Sequence, residues 1–128
     1  MIYGIGIDLI EIHRIKGELE KFGDRFCGSI FTEDEVEYCK KGSNIDVQAQ
    51  CFAGRFSAKE AFFKSIGTGL RNKFSWKDVE IMNDELGKPS FRLRNKAREF
   101  IEEIGVSNIQ LSISHSRENA VAVVILEK

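Results

Sequence analysis

Apolar residues fill the segment from Ile2 to Ile10, interrupted by Gly4, Gly6 and Asp8. Such a run reads as a buried strand, and Leu9-Ile10-Glu11-Ile12 then passes into a helix that continues to about Phe22. Thr32-Glu33-Asp34-Glu35 is a capping box, threonine at the N-cap and glutamate three residues on, and it starts a short helix ending near Gly42. Phe52, Ala53, Phe56 and Phe63 fall on one helical stripe, with Ala49 one turn earlier. They predict a long helix from about Asp46 to Ile66, stopped by Gly67-Thr68-Gly69.

Trp76–Met82 and Ser90–Leu93 are short strand candidates around the turn Leu86-Gly87-Lys88-Pro89. Asn95–Ile104 reads as a helix ending at Gly105. Ile109–Ser114 and Ala120–Leu126 form a hairpin joined through Arg117-Glu118-Asn119. The order β-α-α-α-β-β-α-β-β is an α+β layout with a mainly antiparallel sheet packed with helices. It lacks repeated βαβ units, so GIGIDL is no dinucleotide fingerprint. The last two strands are apolar on both faces, because Val121, Val123 and Ile125 alternate with Ala122, Val124 and Leu126. Both faces of a five-strand sheet should therefore be covered. One long helix and three short ones are too few for that, so a neighbouring subunit is expected as cover.

A length of 128 residues, with 42% hydrophobic and 30% charged, suits one globular domain spanning 1–128. The formal net charge of −1 gives no field for general nucleic-acid binding, so any basic site must be local. No apolar run has the length of a membrane span, and Met1-Ile2-Tyr3-Gly4 lacks the basic start of a signal peptide. A cytoplasmic protein is expected. Cys27, Cys39 and Cys51 are an odd set with no C-x-x-C pair, which predicts reduced, structural thiols rather than a disulfide framework or a zinc site.

Three positions carry candidate chemistry. Strand alternation puts Gly4, Gly6 and Asp8 on one face, where the glycines leave the surface bare. Either a helix packs tightly on the glycines, with Asp8 capping the next helix, or a ligand binds there. Glu60 belongs on the border of the phenylalanine stripe, with Lys64 one turn on. On a solvated face that spacing is an ordinary helix-stabilising pair, but against phenylalanines burying the charges costs more than the pair returns. A metal or a phosphate would resolve the conflict, and Arg55 is a further cation on this helix. His115 shares a face with Leu111 and Ile113, as a core histidine would or as a ligand-facing one. Two carboxylates on separate elements suit magnesium, which needs one or two from protein when water and phosphate complete its shell. With Lys64, Arg55 and His115, the set suits a metal-held phosphate ester. A non-catalytic nucleotide-binding module and a structural oligomer with intersubunit ion pairs stay open at this level.

The motifs taken together resemble a known family. Tyr3-Gly4-Ile5-Gly6-Ile7-Asp8-Leu9-Ile10-Glu11 is similar to the opening of the holo-[acyl-carrier-protein] synthases, the short bacterial 4′-phosphopantetheinyl transferases. Ala53-Gly54-Arg55-Phe56-Ser57-Ala58-Lys59-Glu60-Ala61-Phe62-Phe63-Lys64 resembles that family's central motif. Gly67-Thr68-Gly69, Gly87-Lys88-Pro89 and Ser112-Ile113-Ser114-His115-Ser116 follow in the expected order. The resemblance implies a magnesium-dependent transfer of phosphopantetheine from coenzyme A to a serine of apo-acyl carrier protein, releasing adenosine 3′,5′-bisphosphate, a step of fatty acid biosynthesis. It implies Asp8 and Glu60 as metal ligands and Asp8, Glu60 and Lys64 as the catalytic set. Arg55, Lys64, Gly67, Gly87, Lys88, Pro89 and His115 are implied as the coenzyme A site. The carrier protein would dock on the first helix and beyond, at His13, Arg14, Lys21, Arg25 and Phe26. The family also implies a homotrimer with active sites between subunits. The general base stays open between a metal-associated water and one of the carboxylates.

Overall fold

The structure is a computed structural model that describes residues 1–67 and 74–128. Thr68 and Gly69 of the expected helix stop lie outside the described residues. Strand β1 (Ile2–Glu11) runs directly into α1 (Ile12–Phe22), followed by α2 (Asp24–Ile30), α3 (Glu33–Lys40) and the long α4 (Ile45–Ser65). A hairpin of β2 (Val79–Asn83) and β3 (Pro89–Leu93) precedes α5 (Asn95–Glu103). A second hairpin, β4 (Asn108–His115) and β5 (Asn119–Glu127), completes the chain. This is the expected α+β order with α2 added. That helix is short, buries Cys27 and Ile30, and is set off from α1 by Gly23 at a φ of 51°. Its apolar periodicity is too brief to stand out in the sequence.

Trp76–Asp78 is a turn of 3-10 helix rather than the start of a strand. Ser75 Oγ accepts from the Lys77 amide and Asp78 Oδ2 accepts from the Ser75 amide, which satisfies donors a strand would have left for a neighbour. Thr32 caps α3 as its sequence predicts: its hydroxyl accepts from the Glu35 amide while Glu35 Oε1 accepts from the Thr32 amide.

The strands form two sheets, not one of five strands. β1, β5 and β4 make an antiparallel sheet in that order, and β2 pairs with β3 in a second. Helix α4 is the centre of the molecule. It is buried on nearly every side, including Ala49, Phe52, Ala53, Ser57, Lys59, Phe62 and Phe63, where the sequence suggested a single stripe. The glycines of β1 allow this: a Cβ on Gly4 would lie 2.0 Å from the Ser65 carbonyl oxygen, and one on Gly6 1.9 Å from that of Ala61. Tight helix packing is therefore what the bare glycine face is for.

Ala120, Ala122, Val124 and Leu126 of β5 are fully buried on the α4 side. On the opposite side Tyr3, Ile5, Ile7 and Leu9 are exposed, Leu9 to 66%, beside half-buried Val121, Val123 and Ile125. The outward face is apolar along β1 and β5 but polar along β4, where Gln110, Ser112 and Ser114 stand exposed. Of the last two strands only β5 is therefore apolar on both faces, and the chain covers the α4 side.

The second sheet is tied to α4 through a buried ion pair. Lys59 Nζ donates to Glu35 Oε1 at 2.8 Å, to the Val79 carbonyl at 2.7 Å and to the Trp76 carbonyl at 3.0 Å. Glu35 Oε2 accepts from the Ile81 amide at 3.0 Å. Both side chains are completely buried.

The expectation for the cysteines is overturned as well. Cys39 and Cys51 form a disulfide across a Cα–Cα distance of 5.4 Å, leaving buried Cys27 as the free thiol. The short connection between α3 and α4 folds the two helices face to face, which the spacing of three isolated cysteines does not reveal. Burial pushes the Cys27 thiol above its ordinary value.

Candidate active site

Asp8, Glu60 and Lys64 meet where β1 lies on α4. Ser57, buried one turn before Glu60, donates its hydroxyl to the Asp8 carbonyl at 2.7 Å and so fixes the strand against the helix. Lys64 Nζ donates to Asp8 Oδ1 at 3.0 Å and to the Ile7 carbonyl at 3.1 Å. Lys64 is thus exposed and paired across elements; the phenylalanines beside it in sequence, Phe62 and Phe63, turn into the core. Asp8 does not cap α1: the N-cap is Glu11, which makes no side-chain capping bond.

Glu60 is half-buried, and burial first, then the charge of Asp8, push its carboxyl above the ordinary carboxylate value, with Lys64 pulling it back. Two carboxyl groups whose charges oppose one another, with one shared cation, form a site short of positive charge. Hard oxygen donors of this kind fit a magnesium ion that keeps water and substrate oxygens in its other positions. Among the described residues no cluster of three or more His, Cys, Asp or Glu side chains offers a fuller cage.

The remaining predicted residues assemble elsewhere. Arg55, Gly87, Pro89 and His115 line a cavity of about 360 Å³ together with Tyr38, Cys51, Gly54 and Asn83. This cavity lies at the β4 side of the sheet, whereas Asp8 stands on β1 at the other edge. Within one chain the expected site is therefore divided in two. His115 is exposed at the end of β4, so its reading as a core histidine is corrected: the strand outruns the cover of α4. Gly87, at a φ of 88°, and Lys88 belong to a turn closed by Asp84, whose Oδ1 accepts from the Leu86 and Lys88 amides. Gly67 follows the end of α4 at a φ of 75°, on the Lys64 side rather than in this cavity.

Arg55 is the charge of this cavity. It is 5% exposed, and burial pulls the guanidinium below its ordinary range. Nη2 donates to Asn83 Oδ1 at 2.6 Å, the Tyr38 ring lies 4.3 Å from the guanidinium carbon, and Nε is buried without a partner. Sequence reasoning missed Asn83, Tyr38, Lys59 and Glu35. For Asn83 a signal existed, since Asn-Asp ahead of Gly-Lys-Pro is turn chemistry; for the others none did.

On the far side of α1, Ile10, His13, Arg14, Ile15, Lys21, Phe26 and Phe56 line an open groove of about 540 Å³. Arg14, Lys21 and the acidic Glu18 are exposed along its rim and Phe26 is half-buried in it, while Arg25, also exposed, adjoins Phe26 in sequence outside the lining.

The family model described as 4′-phosphopantetheinyl transferase superfamily matches residues 4–124. The chain belongs to that superfamily. Within it the chain falls among the enzymes of the holo-[acyl-carrier-protein] synthase family. It is similar to a holo-[acyl-carrier-protein] synthase of Halothermothrix orenii, 46% identical over 128 residues, covering 100% of this chain and 99% of the relative. The fold is similar to the crystal structure of holo-[acyl-carrier-protein] synthase from Neisseria meningitidis, with a TM-score of 0.85, 37% identity and 100% of both chains covered. It is also similar to a holo-(acyl-carrier-protein) synthase from Bacillus anthracis in complex with CoA (3′,5′-ADP). There the TM-score is 0.82 and the identity 41%, over 99% of this chain and 97% of that one. The family and the α+β fold expected from the motifs are borne out. No helix among the described residues is long and apolar enough to cross a membrane.

Proposed function

We propose that residues 1–128 act as one domain that transfers 4′-phosphopantetheine from coenzyme A to a serine of apo-acyl carrier protein, with magnesium as cofactor and adenosine 3′,5′-bisphosphate as product. Lipid synthesis in the cytoplasm is part of the same reading. The observation that carries it is the meeting of Asp8, Glu60 and Lys64 from two elements held together by Ser57, in a chain whose relatives are holo-[acyl-carrier-protein] synthases.

Asp8 and Glu60 are the residues that would hold the metal. When bound, it would neutralise both carboxylates and offset charge on the diphosphate oxygens. Lys64 exchanges its bond to Asp8 for a phosphate oxygen, one turn from Glu60 on a rigid helix. Arg55, with Nε unpartnered in a concave site, holds a second phosphate of coenzyme A, and His115 with the Gly87-Lys88-Pro89 turn forms the wall beside it. The groove beside α1, rimmed by His13, Arg14 and Lys21 and containing Phe26, with Arg25 next to Phe26 in sequence, receives the acidic carrier protein. Asp8 or Glu60 would take the serine proton, and a metal held by these carboxylates would supply a bound water as the alternative base.

The divided site supports a homotrimer in which one chain's Arg55–His115 cavity approaches the Asp8–Glu60 pair of its neighbour. The exposed row Tyr3, Ile5, Ile7 and Leu9 supplies the apolar surface such an assembly would bury.

The deciding experiment incubates the protein with coenzyme A, magnesium and apo-carrier protein and weighs the carrier. A mass gain of one phosphopantetheine, lost in folded Asp8→Ala and Glu60→Ala proteins, is the expected result. Near-normal turnover by either variant at saturating magnesium overturns the metal assignment, and sedimentation of a fully active monomer overturns the assembly.

A further inference from the structure

We infer that Asn83 and Tyr38 are positioning residues that clamp the Arg55 guanidinium in one orientation, so that the cavity is preorganised for its anionic ligand. The inference rests on the reading above that this cavity takes coenzyme A.

Arg55 has a long side chain whose rotamers are costly to freeze. Two elements other than its own helix hold it. Asn83 is the last residue of β2 and bridges two groups: its Oδ1 accepts from Arg55 Nη2 at 2.6 Å, and its Nδ2 donates to the Gly87 carbonyl at 2.9 Å. One side chain thereby links the cavity's cation to the turn that forms its wall. From α3, the Tyr38 ring lies over the guanidinium at 4.3 Å, which fixes the plane in which the fork of donors lies.

Both clamps are themselves anchored. The register of β2 on α4 is set by Lys59, which donates to the Val79 carbonyl, and by Glu35, which accepts from the Ile81 amide. Asn83 stands two residues beyond Ile81 and inherits that register. Tyr38 directly precedes Cys39, whose disulfide to Cys51 ties α3 to α4 one turn before Arg55. Nη2 is used by Asn83, Nη1 donates to Cys51 Sγ at 3.9 Å and one face is covered by Tyr38, so Nε is the position left without a protein partner and open to a ligand's oxygen.

The test is steady-state kinetics on the full-length protein at saturating apo-carrier protein, with coenzyme A varied, for Tyr38→Phe, Tyr38→Ala, Asn83→Ala and Arg55→Ala. Each single variant is repeated in the Arg55→Ala background. Loss of one clamp is expected to raise the KM for coenzyme A about tenfold, the worth of one charge-assisted hydrogen bond. The kcat should stay near that of the parent, Asn83→Ala should lower the melting temperature by several degrees because a buried guanidinium donor loses its partner, and Tyr38→Phe should behave as the parent because the ring remains. In the Arg55→Ala background neither Tyr38→Ala nor Asn83→Ala should raise KM further. Unchanged KM in both alanine variants, where Arg55→Ala does raise it, overturns the inference and leaves the coenzyme A reading standing. Additive losses in the double variants also overturn it, because the residues would then act on the ligand directly. Unchanged KM in Arg55→Ala overturns the coenzyme A reading of the cavity.

Discussion

Replacing Lys59 by methionine keeps much of the side chain's volume and removes its charge. The buried lysine makes three hydrogen bonds, to Glu35, Trp76 and Val79, and all three are lost. Glu35, at 1% exposure, then keeps only the amides of Thr32 and Ile81 as partners. Breaking a buried pair by removing one partner costs about 3–5 kcal/mol, because the other charge is left uncompensated. Against a total stability of about 5–15 kcal/mol, that is a large loss. For a chain of this size it corresponds to a fall in melting temperature on the order of 15 °C. Urea unfolding at neutral pH measures it directly, the midpoint moving down at constant slope. The double variant Glu35→Gln, Lys59→Met leaves no buried charge and should recover a substantial part of the loss. A Lys59→Met protein within about 1 kcal/mol of the parent would refute the reasoning, since a satisfied buried pair cannot lose its cation so cheaply.

Glu60 gives a pH dependence of definite sign. Its carboxyl is held above the ordinary value of 4.5, so between that value and the raised one the folded state binds more protons than the unfolded state. Stability of the metal-free protein should therefore fall as pH rises through that window. Glu60→Gln should flatten the slope and raise the melting temperature at neutral pH in the presence of a chelator; an unchanged slope would remove Glu60 as its source. The Cys39–Cys51 disulfide predicts one titratable thiol, Cys27, in protein denatured without reductant, against three after reduction. Reduction should also cost about 3 kcal/mol from the short loop it opens, and three free thiols before reduction would overturn the pairing.

Much of the fold is written locally. Thr32 and Glu35 announce α3, alternating apolar residues announce β4, a continuous apolar run announces β5, and Gly87 with Pro89 marks a turn. What the sequence conceals is set between elements. Lys59 and Glu60 are adjacent charges on one helix, yet Lys59 is wholly buried and Glu60 half-exposed, because Glu35 arrives from α3 to meet the lysine. Nothing near Lys59 in sequence signals that partner. Cys39 and Cys51 pair for the same reason, and Tyr38 reaches Arg55 only because α3 folds back on α4. Asp8, Glu60 and Lys64 were legible as chemistry before their meeting was, since charged residues among apolar ones raise the question of a counter-charge without naming it.

Gly4 and Gly6 supply the missing step from pattern to site. Glycine weakens a strand, and two in one strand face are tolerated where a close backbone approach offsets the loss. Here the approach is that of α4, whose carbonyls at Ala61 and Ser65 occupy the space that side chains would take. Because β1 can lie so near the helix, the Ile7 carbonyl and the Asp8 carboxylate both come within reach of Lys64, and the Asp8 carbonyl within reach of Ser57. A larger residue at either glycine would lift the strand from the helix and draw Asp8 away from Glu60. The glycines thus belong to the site's construction although they carry no reactive group. The same strand turns Tyr3, Ile5, Ile7 and Leu9 outward on its other face. The element that brings the carboxylates together is therefore also the one that asks for a neighbouring subunit, and that links the proposed chemistry to the proposed assembly through a single strand.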